Sequence, residues 1–150
     1  MTSAQTRSDA GLASSLRISV GRLARRLRVE RAVPGTAEPF LSDTQFAALA
    51  KLEKHGPMSP GELAEYEKVQ PPSMTRVIAA LEEYRLVTRA AHASDKRQVV
   101  LTVTTAGRDL VIKSRRRRDA WLARRLAELT PQERATLRAA APILEKLSQS

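Results

Sequence analysis

The chain has 150 residues, and its composition, 42% hydrophobic but only 3% aromatic, favours a helical protein with an aliphatic core over a β-sandwich. A net charge of +10 points to a polyanionic partner such as DNA, RNA or an anionic membrane surface, with plain solubility charge as the alternative. The absence of cysteine excludes disulfides and thiolate metal sites, and His55 and His92 lie too far apart in sequence to indicate a zinc site.

The sequence also indicates where the protein works. No apolar run approaches the ~20 residues that a membrane-spanning helix needs. The first residues, MTSAQTRSDAG, lack the apolar segment of a signal peptide. We therefore expect a cytoplasmic protein that has no membrane partner.

The N-terminal part of the chain predicts an arm followed by a helix. Residues 1–10 are small and polar, which predicts a flexible arm. From Leu12 onward, leucines recur at helical spacing with arginines between them, which predicts a basic amphipathic helix of about five turns. We expect this helix to stop before the segment AVPGTAEPF, where two prolines and a glycine indicate a loop.

Three later helices share one start signal. In each, a Ser or Thr can cap the first turn, while a Gln or Glu three residues later can reach back to the cap. Two of the three also place Pro at the first helical position, where its fixed φ suits the helix. The pairs are Ser42 and Gln45, Ser59 and Glu62, and Thr130 and Glu133.

The segment QPPSMTR begins a further helix by a different route. Gln70 stands at the cap position, and Pro71 and Pro72 take the first two helical positions, where a missing N–H costs little. The prolines therefore predict a helix start rather than a break, and the helix should run from about residue 71 to 84. Hydrophobic spacing assigns one face of it to the core: Met74, Val77, Ile78 and Leu81.

A β-hairpin follows this helix. Two stretches rich in β-branched residues, Leu86–Ala91 and Val99–Val103, flank a polar tip at residues 92–98. Thr104 then caps a long helix, and a last helix contains Pro142, which we expect to kink it.

The order of elements in the middle of the chain is that of a winged helix-turn-helix. The hairpin comes after three helices in close succession, at residues 43–54, 60–67 and 71–84. The predicted fold is mainly α with a small β-wing. In this arrangement residues 41–104 form a DNA-binding lobe, and helices flank the lobe on both sides.

The outward face of the third helix of this lobe carries the residues expected to contact bases. At about 100° per residue, Arg76 falls nearly opposite the core face. A guanidinium can contact guanine O6 and N7 together, hydroxyls can reach phosphates or base edges, and the helix start attracts a phosphate. An ordinary solvated arginine is the alternative for Arg76. The predicted DNA-binding residues of this helix are Gln70, Pro71, Ser73, Thr75 and Arg76.

The hairpin tip supplies a second predicted DNA contact through Asp95, Lys96 and Arg97. A cation at the end of a hairpin can enter a narrow minor groove, where the potential is most negative. We expect Asp95 to accept hydrogen bonds from loop N–H groups or to hold Arg97 in place. A merely polar hairpin tip is the alternative, and it competes most strongly for Lys96.

The stretch from Leu41 to Gly107 resembles the winged helix-turn-helix of the multiple-antibiotic-resistance regulator (MarR) family. The matching segments are TQFAALAKL, SPGELAEYEKV, PSMTRVIAALEEYRLV and the wing segment SDKRQVVLTVTTAGRDL. Two positions depart from the family pattern, because Val103 stands where Leu is usual and Arg85 stands where such proteins often turn with Gly. The flanking helices lie where the family places its dimerisation helices, so the resemblance covers nearly the whole chain.

The resemblance implies a homodimeric transcription factor, usually a repressor, that binds a pseudo-palindromic duplex through two recognition helices and two wings. Residues 11–33 and 105–148 would form its dimerisation region. The apolar residues expected to pack across the two-fold axis are Leu12, Leu16, Leu23, Trp121, Leu122, Leu126, Leu137 and Leu144.

The resemblance also implies a small ligand, often aromatic and anionic, that binds between the dimerisation region and the DNA-binding lobe and lowers DNA affinity. Arg17, Arg22, Arg26 and Tyr66 are candidates for lining such a cleft, but ordinary solvated side chains are the favoured interpretation for each. Oxidation sensing by cysteine is excluded by composition.

Two other classes of function compete with this interpretation. An enzyme needs a nucleophile–base pair, paired carboxylates or a metal cluster, and no such constellation occurs in the sequence, so we expect no catalytic residue, metal or cofactor. A basic RNA- or ribosome-binding protein without a ligand response is the alternative, because net charge does not distinguish polyanions. Single-stranded RNA binding needs exposed aromatic platforms, and the scarcity of aromatic residues favours duplex DNA.

Overall fold

The computed structural model describes residues 3–31 and 35–150, with side chains from Ser8 onward. Within these residues the fold is mainly helical and contains one two-stranded antiparallel sheet. In chain order the elements are α1 (Ser3–Val29), α2 (Asp43–His55), α3 (Pro60–Glu67), α4 (Pro71–Glu83), β1 (Val87–Ala91), β2 (Val99–Val103), α5 (Thr105–Ala127) and α6 (Pro131–Ser148). None of these helices is both long and apolar enough to cross a membrane.

The N-terminus corrects one prediction. An arm was expected through residue 10, but α1 begins at Ser3. The segment SAQTRSDA contains no glycine or proline and includes good helix formers, so its polarity is no obstacle to a solvated helix. The first two residues of the expected arm, and residues 32–34 of the expected loop, lie outside the described part of the chain.

The predicted start signals are confirmed at all three capping boxes. Ser42, Ser59 and Thr130 each accept a hydrogen bond from the backbone N–H three residues later, and the Gln or Glu there accepts one from the backbone of the cap. The two prolines of QPPSMTR begin α4, as the sequence predicts. Pro142 lies inside α6, which continues to Ser148.

The wing is a regular hairpin attached to the helices at its base. Its two strands pair antiparallel, with Val87 opposite Val103 and Ala91 opposite Val99. The chain between α2 and α3 adds a short bridge to the same sheet, because Leu101 N–H donates to the Met58 carbonyl at 2.8 Å and Met58 N–H donates back to the Leu101 carbonyl at 3.2 Å. Leu101 is consequently fully buried.

The core of the lobe combines residues from every element between Leu41 and the middle of α5. Alternation along β2 places Leu101 inside, with Val99 and Val103 packed against the core. The most deeply buried hydrophobic side chains are Leu49, Leu52, Leu63, Met74, Ile78, Leu81, Leu101 and Val111. The expected core face of α4 is therefore confirmed, and its burial determines which face the helix presents to solvent.

The terminal helices behave differently from the lobe. No residue of α6 is buried, and α1 contributes no member to the hydrophobic core among its described side chains, from Ser8 onward. Several apolar side chains on these two helices are exposed, including Leu12, Leu23, Leu137, Leu144 and Leu147. Rows of solvent-exposed leucine side chains are typical of a surface that associates with another protein.

Candidate nucleic-acid interface

The recognition helix α4 follows a tight turn that the chain makes with a left-handed residue. Lys68 has φ +51°, and its N–H donates to the Glu65 carbonyl at 3.2 Å. The next residue, Val69, donates to the Ala64 carbonyl at 3.0 Å. These two bonds form the Schellman arrangement, in which a helix ends and the chain reverses within about one turn. The turn presents Gln70 and Pro71 as the start of the next helix.

The start of α4 offers fewer N–H donors than an ordinary helix. Gln70 has an extended conformation but makes no capping hydrogen bond with its side chain. Pro71 and Pro72 have no N–H, and Met74 N–H already donates to the Gln70 carbonyl at 3.0 Å. Of the first helical residues, only Ser73 keeps a backbone N–H that a phosphate could use. The attraction for phosphate expected at Pro71–Ser73 therefore depends on a single amide.

The outward residues of α4 lie where the sequence predicts, with one change in their chemistry. Ser73, Thr75 and Arg76 are all exposed. The Thr75 hydroxyl donates to the Pro71 carbonyl at 3.0 Å, so its proton is already in use. Thr75 therefore presents lone pairs and a methyl group, which suit a base amino group or a thymine methyl better than a phosphate. Arg76 makes no side-chain hydrogen bond or ion pair with any described residue, so its donors remain for a partner.

The wing tip is organised by Asp95, as expected. Its Oδ1 accepts the Arg97 N–H at 3.0 Å, and its carbonyl accepts the Gln98 N–H at 3.0 Å. His92 N–H closes the loop by donating to the Gln98 carbonyl at 2.8 Å. With the backbone held in this way, the Lys96 and Arg97 side chains are exposed at the end of the hairpin.

At the base of the wing, Thr104 joins three elements. Its hydroxyl donates to the Arg85 carbonyl at 2.8 Å and accepts the Gly107 N–H at 3.0 Å. Its backbone N–H donates to the Leu86 carbonyl at 3.0 Å. The end of α4, the end of β2 and the first turn of α5 are therefore connected through one residue. Arg85 itself has φ +57°, so the turn is left-handed although no glycine is present.

A second link holds the wing against the recognition helix. Arg89 on β1 donates from both Nε and Nη2 to Glu82 Oε1 on α4, at 3.2 and 2.7 Å. Both side chains are partly exposed, so the pair contributes little to stability by itself. The pair joins β1 to α4 at one point, where two donors of one planar group converge on one carboxylate oxygen.

The lobe is connected to α1 through a cluster of arginines. Arg117 on α5 binds both carboxylate oxygens of Glu38, at 2.9 and 2.8 Å, and donates to the Arg31 carbonyl at 2.6 Å. The Arg31 guanidinium pairs with Asp43 at 2.7 Å. This cluster, which we call the hinge clamp, fastens the end of α1 and the following linker to the lobe.

Beside the hinge clamp, Arg118 forms no ion pair with a carboxylate of the described residues. Arg118 and Arg31 stack against the Phe46 ring, at 5.1 and 4.9 Å from its centre. Burial, followed by the charge of Arg31, lowers the pKa of Arg118 from its ordinary value. Ser114, one turn earlier on α5, is buried, and its hydroxyl has no hydrogen-bond partner among the described residues.

The expected dimerisation residues lie along α1, α5 and α6, in three degrees of burial. Leu12, Leu23, Leu137 and Leu144 are between 39% and 58% exposed. Leu16, Leu122 and Leu126 are partly buried. Trp121 is already buried within the chain, and the Arg26 and Arg125 guanidiniums lie 5.1 and 5.6 Å from its ring centre.

The structure gives Tyr66 a different environment from the ligand cleft considered above. Its ring stacks on His55 at 5.3 Å, and the Lys51 ammonium lies 5.6 Å from the ring centre. These contacts place it on the α2–α3 side of the lobe rather than beside α1. Among the described residues, no group of three or more His, Asp or Glu could hold a metal ion.

Sequence reasoning missed the left-handed Lys68, the Glu82–Arg89 pair and the hinge clamp. For Lys68 a signal existed, because the helix-turn-helix order requires a tight turn, but the usual glycine is absent. The hinge clamp had no local signal, since Arg117 and Glu38 are 79 residues apart.

Comparisons with known proteins agree with this architecture. Residues 41–99 match the MarR family. An uncharacterized HTH-type transcriptional regulator of Mycobacterium bovis is 47% identical over 137 residues, which are 91% of this chain and 92% of that protein. The HTH-type transcriptional repressor MdtR of Bacillus subtilis is 30% identical over 139 residues, 93% of this chain and 87% of MdtR. A MarR family protein from Bacillus stearothermophilus shares the fold, with a TM-score of 0.78 at 23% identity over 97% of this chain and 98% of that chain.

Proposed function

Because the chain belongs to the MarR family and is a DNA-binding transcriptional regulator rather than an enzyme, we propose that it acts as a homodimeric repressor on a pseudo-palindromic duplex. The observation that carries this proposal is the outward face of α4, where exposed Arg76, Thr75 and Ser73 stand opposite a fully buried apolar face. Repression is proposed because MdtR bears the name of a repressor. We place this activity in the cytoplasm.

Arg76 is the proposed base-specific contact. Its guanidinium is exposed and makes no ion pair within the described residues, so it can bind guanine O6 and N7 without first breaking a bond. Thr75 supplies a methyl group and lone pairs beside it. Lys96 and Arg97 at the wing tip are proposed to enter the adjacent minor groove, while Asp95 keeps the tip in shape.

The terminal helices support the proposed homodimer. A second copy of the chain would cover the exposed leucines of α1 and α6, and a two-fold axis would present two recognition helices to one duplex. Light scattering should therefore give twice the chain mass. Leu144→Asp should shift the protein toward the monomer and weaken DNA binding, because it places a charge in the proposed interface. A wild-type monomer at micromolar concentration would contradict the homodimer.

We also propose that a small anionic aromatic ligand binds in the groove between α1 and the linker before α2. The groove encloses about 740 Å³, and Arg25, Arg28 and Arg31 line it together with Phe40. Asp43 in the same groove already pairs with Arg28 and Arg31, so Arg25 and the Phe40 ring are the groups left to bind a carboxylate on a ring. The groove is bounded by the hinge clamp, so a ligand there could change the angle between α1 and the lobe.

The ligand proposal is tested with benzoate as the probe. Benzoate should lower the affinity of the wild type for its duplex, and Arg25→Gln should need a higher benzoate concentration for the same effect. Arg25 is exposed and makes no ion pair within the described residues, so its replacement should leave DNA binding without benzoate unchanged. An equal response of both proteins would contradict this site.

The DNA proposal is tested by titrating the protein with a duplex from upstream of its own gene and with a scrambled duplex. Arg76→Ala should cost about 1–3 kcal/mol on the specific duplex and reduce discrimination. Arg97→Ala should weaken binding to both duplexes while retaining more of the preference. Arg124→Ala is the control, because it removes an exposed arginine about 25 Å along α5 from Gly107. Tight RNA binding with weak duplex binding would favour the RNA-binding alternative.

A further inference from the structure

Two non-glycine residues have positive φ in the described part of the chain: Lys68 at +51° and Arg85 at +57°. Each stands just after the last turn of a helix, in the left-handed position of a Schellman arrangement. Glycine is the usual residue there, because a Cβ in this conformation is strained. The chain keeps a basic residue in both places. Non-glycine residues held in this conformation cluster at functional sites, so both side chains are candidates for a role.

The two residues lie at opposite ends of the recognition helix. Lys68 belongs to the turn that leads into α4, beside Gln70 and Pro71, and these residues share the lining of one surface groove. Arg85 follows the end of α4, about 20 Å farther along the helix axis. The wing begins directly after Arg85, so the wing tip is about 17 Å away along the strand. Lys68 therefore lies close to the outward residues at the start of α4. Arg85 lies far from both those residues and the wing tip.

The start of α4 lacks what a phosphate would ordinarily bind. The prolines remove two N–H donors, no side chain caps the helix, and only the Ser73 N–H remains. Lys68 can supply the missing charge, because its side chain is exposed and makes no ion pair among the described residues. A lysine ammonium is a compact cation with three donors, which suits a phosphate that need not be held in one orientation.

We propose that Lys68 binds a backbone phosphate of the duplex beside the groove that α4 enters, one phosphate for each subunit. This contact rests on the proposed function, since it requires that α4 face a duplex. It contributes affinity and register but no base preference.

The test uses matched pairs of variants at the two left-handed positions. Lys68→Gln and Arg85→Gln remove the charge, whereas Lys68→Gly and Arg85→Gly also remove the backbone strain. Each variant and the wild type are titrated with the specific and the scrambled duplex over a series of salt concentrations. Thermal unfolding of the same samples shows whether the two glycine variants are more stable than the matching glutamine variants.

Both Lys68 variants should bind the two duplexes about equally more weakly, by roughly tenfold at low salt, equal to about 1.4 kcal/mol. The slope of log K against log salt should become shallower by about 1.8 for a dimer. Each of the two subunits loses one phosphate contact, and each lost contact reduces the number of counterions released on binding by about 0.9. The Arg85 variants should keep the wild-type slope. Lys68→Gly and Arg85→Gly should unfold at higher temperature than the glutamine variants.

Two results of the salt series would overturn the proposal while the proposed function stands. One is a wild-type slope in Lys68→Gln. The other is an equal loss of slope in Arg85→Gln, since the effect would then belong to net charge rather than to position. If the wild type binds no duplex, the proposed function fails and the Lys68 contact fails with it. A loss confined to the specific duplex would also contradict a phosphate contact.

Discussion

Replacing Gly107 by alanine should destabilise the junction of the wing with α5. A Cβ built on Gly107 lies 2.2 Å from the Leu86 carbonyl oxygen and 2.9 Å from a Val103 methyl group. The nearest obstacle is backbone, which cannot rotate away as a side chain could. To restore contact distance, the chain at Leu86 must move by about 1 Å, and that movement acts on the hydrogen bond between Thr104 N–H and the Leu86 carbonyl.

The magnitude follows from three contributions. Overpacking costs about 1–3 kcal/mol, and a lost or weakened backbone hydrogen bond costs about 1 kcal/mol more. Alanine favours the helix by about 1 kcal/mol relative to glycine, which offsets one of these losses. The free energy of unfolding should therefore fall by about 1–3 kcal/mol, with the upper end favoured because the obstacle is backbone.

Urea denaturation followed by circular dichroism measures this change. The control is Gly61→Ala in α3, where a Cβ would meet only the Ser59 hydroxyl at 3.9 Å, so its stability should stay equal to the wild type or rise slightly. If Gly107→Ala and Gly61→Ala unfold at the same urea concentration, the close approach at the base of the wing is wrong.

Three further predictions concern single contacts. Hydrogen bonds from the Thr130 backbone and hydroxyl lower the pKa of Glu133, so their stabilising effect is complete above the ordinary carboxyl pKa and disappears as pH falls through the lowered one. Thr130→Ala should therefore reduce stability at neutral pH and flatten its acid dependence, as measured by urea midpoints from neutral pH downward; an unchanged pH profile would count against it. Arg117→Met should cost about 1–3 kcal/mol in urea denaturation, because it leaves the Glu38 carboxylate unpaired in a partly buried site, and Glu38→Leu in the same chain should recover part of the loss. Thr104→Val should lower the unfolding free energy by about 1–2 kcal/mol, whereas Thr104→Ser should not, since only the hydroxyl makes the bonds; equal effects in a thermal scan would refute this.

The helices and the wing were predictable because their signals are local. Capping boxes, prolines at the first helical positions and hydrophobic spacing each depend on residues within one or two turns. Thr104 and the face of α4 follow from the same rules, so their positions agree with the structure. The start of α1 was missed because polarity, taken as a sign of an arm, is equally compatible with a helix.

The parts of the site that escaped prediction depend on distance or on an unusual residue. Lys68 and Arg85 adopt left-handed conformations that glycine normally marks, so the residues themselves gave no sign of them, although the order of the helices required a tight turn at Lys68 and the family often turns with Gly at the position of Arg85. Arg117 and Glu38 meet only after the lobe has folded. The bond between Thr75 and the Pro71 carbonyl is local, but any of several rotamers was open to a threonine at that position.

The paired prolines at the start of α4 have a consequence for the sign of charge at the DNA surface. The starts of α3 and α6 each have a glutamate at the third helical position, where its carboxylate completes the capping box. These residues are Glu62 and Glu133. In α4 that position belongs to Ser73, and the first turn contains no acidic residue. A capping box there would have put an anion beside the phosphates that we propose α4 approaches. Beginning the helix with prolines keeps its geometry fixed, and the end that we propose to face DNA stays free of negative charge.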